Sequence, residues 1–74
     1  MGMARDICIA LGNRIRSLRK ARKWRQIDLA MEAEINENYV SDLENGRKEV
    51  CLRTLQTLAQ AFEMKTSELL KGID

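Results

Sequence analysis

The sequence predicts an all-α protein of five helices, and three features predict it. Apolar residues recur at spacings of three and four along nearly the whole chain, which is the period of one helix face. Proline is absent, so nothing breaks those periodic stretches from within. Short polar breaks carrying Asn36 and Gly46 fall where helix caps and terminators belong. With 74 residues, no Gly/Ser-rich linker and no repeat, the helices form one domain spanning 1–74, with residues 1–6 as a frayed amino-terminal extension.

The first helix carries Ile7, Leu11, Ile15 and Leu18 on one stripe, with Arg14, Arg16, Arg19 and Lys20 on its flanks, and Trp24 anchors the turn that ends it. A short second helix, about 26 to 33, buries Leu29 and Ala30. The third, about 37 to 45, buries Val40 and Leu43; Asn36 caps its start through its side-chain oxygen, and Gly46 stops it in the left-handed conformation. The fourth, about 52 to 63, shows Leu52, Leu55, Leu58, Ala59 and Phe62 at helical spacing. A last helix begins near Thr66. Its neighbours Leu69 and Leu70 point about 100° apart, so one of them is left for a partner. Leu69, Leu70 and Ile73, with Phe62 and Met64 at the edge, are the expected contacts of a homodimer.

Several functional classes drop out. There is no histidine, and Cys8 and Cys51 stand far apart, so neither a zinc site nor a Cys/His nucleophile can be assembled. The sequence therefore predicts no metal, no cofactor, no small-molecule ligand and no enzyme, with both cysteines as reduced packing residues. It has neither a membrane-length apolar run nor a signal-peptide core, and the expected location is cytoplasmic.

Charge is unevenly distributed. Residues 1–25 hold eight Lys/Arg against one acid, a net +7; residues 26–46 hold six acids and no base, a net −6; the remainder is +1. A basic segment beside an acidic one is the asymmetry expected of a nucleic-acid contact or an interaction surface.

Within residues 26–45 the spacing of Gln26, Leu29-Ala30, Ile35, Val40, Leu43 and Glu44-Asn45-Gly46 is the most informative feature. Small Ala30 lets two helices cross closely, Ile35 plugs the turn, and Val40 and Leu43 pin the second helix to the core. This arrangement resembles the helix-turn-helix of the lambda-repressor and Cro-like, or Xre, family, from about Leu11 to Ile73. It includes the Leu-Gly-x-Arg-Ile-Arg-x-Leu-Arg segment of residues 11–19 and the closing Ser67-Glu68-Leu69-Leu70. The resemblance implies a five-helix domain that binds double-stranded DNA and regulates transcription.

Carried onto this sequence, the resemblance sets Gln26 against a phosphate and Asn36, Glu37, Asn38 and Tyr39 at the start of the reading helix, with Asp42 one turn on. Asn38, Glu37 and Asp42 are the candidate base readers, since an Asn can pair with adenine and a carboxylate can accept from the cytosine amine. Arg25, Gln26, Asn36, Tyr39, Arg47 and Lys48 are the candidate backbone contacts, and Arg19 with Glu44 matches a structural ion pair. Departures from the family pattern are Glu34 where glycine is favoured, Arg25 where Ser or Thr usually caps, Val50 where proline is common, and the acids Glu37 and Asp42 on the reading face. Small size and Val50 resemble the short restriction-modification controllers. The acidic reading face leaves a second class open, an antitoxin-like protein-interaction module on the same fold.

Overall fold

The structure, a computed structural model, describes residues 6–73. Its helices are α1 (Ile7–Ala21), α2 (Gln26–Ala33), α3 (Glu37–Glu44), α4 (Leu52–Ala61) and α5 (Thr66–Leu69), with no strand among the described residues. None of these helices is long and apolar enough to cross a membrane. Asp6 belongs to the fold: its Oδ1 accepts from the Cys8 amide at 2.9 Å and caps α1. Residues 1–5 of the expected extension lie outside the described residues.

α1 lies across α3, and α2 packs on α3 and α4. Close approach explains a glycine inside α1, because a β-carbon at Gly12 would lie 2.6 Å from the Glu44 carbonyl oxygen and nearer still to that of Leu43. Ile15, Leu29, Val40, Leu58, Phe62 and Leu69 are fully enclosed between the helices.

Four helices end the same way. One residue takes a left-handed conformation, and the amide of the next returns to a carbonyl five residues back, satisfying the last turn. Trp24 donates to Arg19 O at 3.1 Å, and Ile35 to Ala30 O, Arg47 to Asp42 O and Met64 to Ala59 O at 2.9 Å each. Gly46 (φ 70°) supplies the left-handed residue after α3, but Lys23 (59°), Glu34 (56°) and Glu63 (58°) do so elsewhere. Trp24, Ile35 and Met64, which follow those three, all pack on the core, and that packing holds each turn shut.

Three arginines of α1 and its capping residue Arg22 staple the other elements to it. Arg14 donates to the carbonyls of Leu69 (3.1 Å) and Glu68 (2.8 Å), tying down α5. Arg16 and Arg19 reach the end of α3. Arg22 donates to Phe62 O and lies over the rings of Phe62 and Trp24, which stack with centroids 5.8 Å apart. Four of the eight bases of residues 1–25 are thus engaged in holding the fold; among the described residues of that stretch, Lys20, Lys23 and Arg25 are the exposed bases.

Several expectations need correction. Phe62 and Leu69 cannot be dimer contacts, because both are 0% exposed within this single chain, Phe62 under Trp24 and Arg22. Met64, Leu70 and Ile73 retain partial exposure while packing on the core edge. Leu52 is 75% exposed: the stripe of α4 is fully covered only toward its carboxy-terminal end, at Leu58, Ala59 and the capping Phe62, with Leu55 partly buried before them. Ile7, at the start of the α1 stripe, is likewise more than half exposed. Cys51 is not a packing residue but an exposed one at the start of α4, its Sγ 3.3 Å from Thr54 Oγ1, a hydrogen bond that lowers the thiol pKa.

Candidate nucleic-acid interface

α2 and α3 are joined by residues 34–36, and α3 begins where Asn36 Oδ1 accepts from the Asn38 amide at 2.7 Å. Val40 and Leu43 bury the inner face of α3, so Glu37 and Asn38 are left exposed on its first turn.

The anchor behind this helix is Glu44, whose side chain has no accessible surface. Its Oε2 accepts from Arg19 Nε at 2.6 Å and its Oε1 from Arg19 Nη2 at 3.0 Å and Gln26 Nε2 at 3.1 Å, with Arg16 Nε 3.5 Å away. Arg19 Nη1 also donates to Trp24 O at 2.8 Å. One carboxylate therefore joins α1, α2 and α3. Burial pushes its pKa up, but the hydrogen bonds from Arg19 and Gln26 and the positive charges of Arg19 and Arg16 outweigh that and hold it below the ordinary value. Gln26, expected against a phosphate, has one of its two amide hydrogens committed to Glu44.

The flanks are charged. Arg25 forks onto Asp28, Nε to Oδ2 and Nη2 to Oδ1 both at 3.1 Å, while Asp28 Oδ2 also accepts from the Arg25 amide at 2.7 Å. Those hydrogen bonds from Arg25 hold the Asp28 carboxyl below the usual range. Arg47, 69% exposed, stands with Nη1 4.0 Å from Asp42 Oδ1, and Lys48 beside it is exposed. Tyr39 is half-buried against the core, and Asn36 is exposed beyond its capping bond.

The structure thus brings Asn36 just before α3, Glu37, Asn38 and Asp42 onto it, and Arg47 and Lys48 just after it, with Arg25 and Gln26 at the start of α2. Sequence reasoning missed Asp28, Arg16, Asn45 and Gly12. Asp28 carried a signal, an acid three residues past a cap position, and so did Gly12, a glycine interrupting a helical stripe. The hydrogen bonds from Arg16 to Glu44 and Asn45 join residues far apart in sequence and left no signal.

Fold and anchor define a helix-turn-helix domain, two short helices held at a tight turn with the second presented outward. The helix-turn-helix family model matches residues 15–69. The chain is 42% identical over 64 residues to the HTH-type transcriptional regulator DdrOP3 of Deinococcus deserti, covering 86% of this chain and 50% of that protein. It is 31% identical over 70 residues to the control protein C.MunI of a Mycoplasma species, covering 93% of this chain and 95% of that one. The crystal structure of the restriction-modification controller protein C.AhdI from Aeromonas hydrophila superposes with a TM-score of 0.81 at 32% identity, over 84% of this chain and 94% of that one. The chain spans only half the length of the Deinococcus regulator. This chain belongs to the helix-turn-helix family of the lambda-repressor and Cro-like, or Xre, type.

Proposed function

We propose that this chain is a sequence-specific DNA-binding regulator of transcription that docks α3 in the major groove and acts as a homodimer, in the manner of a short restriction-modification controller. The observation that carries the reading is the outward presentation of Glu37 and Asn38 on a helix locked from behind by Glu44, with Arg47 and Lys48 directly after it. Asn38 and Glu37 are the base readers, with Asp42 at the margin; Arg25, Gln26, Asn36, Tyr39, Arg47 and Lys48 meet the backbone. The likeness to C.MunI over nearly the full length of both chains supports the controller reading. Such a protein works where the DNA is, in the cytoplasm.

Three of the six acids in the stretch that motivates a protein-binding alternative are answered internally, while Glu32, Glu34 and Glu37 stay exposed. Asp28 pairs with Arg25, Asp42 stands near Arg47, and Glu44 is buried on Arg19. That lowers the repulsion a phosphate backbone would meet. Support for a dimer comes from a mainly apolar groove of about 310 Å³ formed by Ile7, Cys8, Leu11, Val50, Leu55 and Leu70, with Lys48 and Glu49 also lining it. A two-fold dimer would set its reading helices about 34 Å apart.

Repeated selection from a random duplex pool tests the reading. Enrichment of a two-fold-symmetric sequence, bound with a steep salt dependence, is expected; a pool that stays random after repeated rounds would overturn it.

A further inference from the structure

Recognition helix α3 is held at its carboxy-terminal end by a second device beside the buried Arg19–Glu44 pair, which it adjoins through Arg16 Nε, 3.5 Å from Glu44 Oε1. Arg16 Nη2 donates to the Glu44 carbonyl and to Asn45 Oδ1, both at 3.1 Å. Asn45 Nδ2 in turn donates to the Ser41 carbonyl at 2.9 Å and lies 3.5 Å from Ser41 Oγ. This line of hydrogen bonds runs from α1 along the last turn of α3, and it occupies the Glu44 carbonyl, which has no partner inside its own helix.

We propose that Arg16, acting through Asn45, is a positioning residue that sets the tilt of the reading helix; the proposal rests on the DNA-binding reading above. α3 is short, about 12 Å long, so a tilt of about 10° at its anchored end displaces Asn38 by about 2 Å. Base-edge hydrogen bonds do not tolerate a shift of that size. The Arg16 guanidinium is directed at α3, and its side chain is only 35% exposed, so its charge is not offered freely to a phosphate. Lysine at this position keeps the charge but cannot reproduce the planar guanidinium, which faces Glu44 Oε1 through Nε at 3.5 Å while Nη2 donates to the Glu44 carbonyl and Asn45 Oδ1.

Arg16→Lys and Asn45→Ala are compared with wild type for binding to the selected operator and to a scrambled duplex over a range of salt, with thermal melting followed in parallel. Both variants are expected to bind the operator about tenfold more weakly while the scrambled duplex and the salt slope stay unchanged, a loss at the lower end of what one base contact discriminates. A direct phosphate role would instead leave Arg16→Lys at wild-type affinity, with Arg16→Ala flattening the slope by about 0.9 on both duplexes. That result overturns the proposal. Lowered melting temperatures with an unchanged operator-to-scrambled ratio would reduce the clamp to a support of the fold, and also overturn it. Should Arg16→Lys fail to fold, Asn45→Ala, at an exposed residue, carries the same comparison. Wild-type protein that fails to distinguish the two duplexes defeats the DNA-binding reading itself.

Discussion

Arg19 and Glu44 meet as a two-pronged pair, Nε to Oε2 at 2.6 Å and Nη2 to Oε1 at 3.0 Å, around a carboxylate that has no contact with solvent. Removing one partner strands the other's charge, which costs about 3–5 kcal/mol. Arg19→Met, which keeps much of the volume, should therefore unfold a large share of a domain this small under mild urea. A urea midpoint within experimental error of wild type would show the pair to be dispensable.

The same pair makes stability depend on acid. Glu44 has a native pKa below its ordinary value of 4.5, so its stabilisation is complete above that value and is lost as pH falls through the lower native one. Glu44→Gln should be less stable than wild type near neutrality. The gap should narrow below pH 4.5, because only the wild type has this carboxylate to protonate. Paired urea titrations measure it, and a gap that is constant with pH contradicts the assignment.

Gly12→Ala tests the crossing of α1 and α3. The added methyl would meet backbone carbonyls rather than a flexible side chain, so the helices must separate, at about 1–3 kcal/mol. Because the clash lies at Leu43 and Glu44, the reading helix should shift with it, and operator binding should weaken in protein that is still folded. Thermal melts and binding titrations on the one variant check both halves.

Three left-handed turns are strained in a way glycine relieves. A left-handed non-glycine residue costs about 1–2 kcal/mol, partly offset by the greater chain entropy of glycine in the unfolded state. Glu34→Gly, at an exposed position with φ 56°, should raise stability by about 0.5–1 kcal/mol. Lys23→Gly should do the same, which calorimetry of both variants would register as higher melting temperatures.

Much of the fold was legible because periodicity states which face of a helix is apolar. The turns were legible too, since Asn36, Gly46 and Trp24 each have a local reason for their place. What periodicity omits is the element that covers a face. Leu52 and Ile7 sit on predicted stripes yet lie beyond the covering helices, whereas Phe62 and Leu69, assigned to a partner, are enclosed by this chain's own Trp24, Arg22 and Arg14 neighbourhood. Charge counting has the same blind spot. It registered +7 in residues 1–25 but not that Arg14, Arg16, Arg19 and Arg22 each end on a carbonyl or carboxylate of another segment.

That redistribution changes what salt titrations should show. Lys48 is exposed and Arg47 is only loosely held by Asp42, so Lys48→Ala and Arg47→Ala should each flatten the log-log salt slope by about 0.9 and weaken specific and non-specific duplexes alike. Arg14→Ala and Arg22→Ala should lower melting temperature and leave the slope of the folded protein unchanged. Reversed behaviour, with slope changes at Arg14 and Arg22 alone, would move the phosphate contacts to α1 and its cap.

Glu37 poses the sharpest question about specificity. It is exposed in the first turn of α3, where a carboxylate also favours the positive end of the helix. Asp42 stands five positions on, about 140° around the helix, and near Arg47, so the two acids cannot both face the centre of a groove. Asn38 lies beside Glu37, its backbone amide committed to Asn36 but its side chain free of hydrogen bonds to the described residues. A reading role for Glu37 means that Glu37→Gln relaxes preference at one base pair by about 1–3 kcal/mol, because a carboxylate that accepted from a cytosine amine becomes an amide that can also donate. A capping role means that the same change removes a negative charge near phosphate and raises affinity for every duplex equally. Binding to a set of operators changed one base pair at a time is expected to show the first pattern, a loss of preference confined to one position. A uniform gain across the set would leave Asn38 as the base reader of that turn.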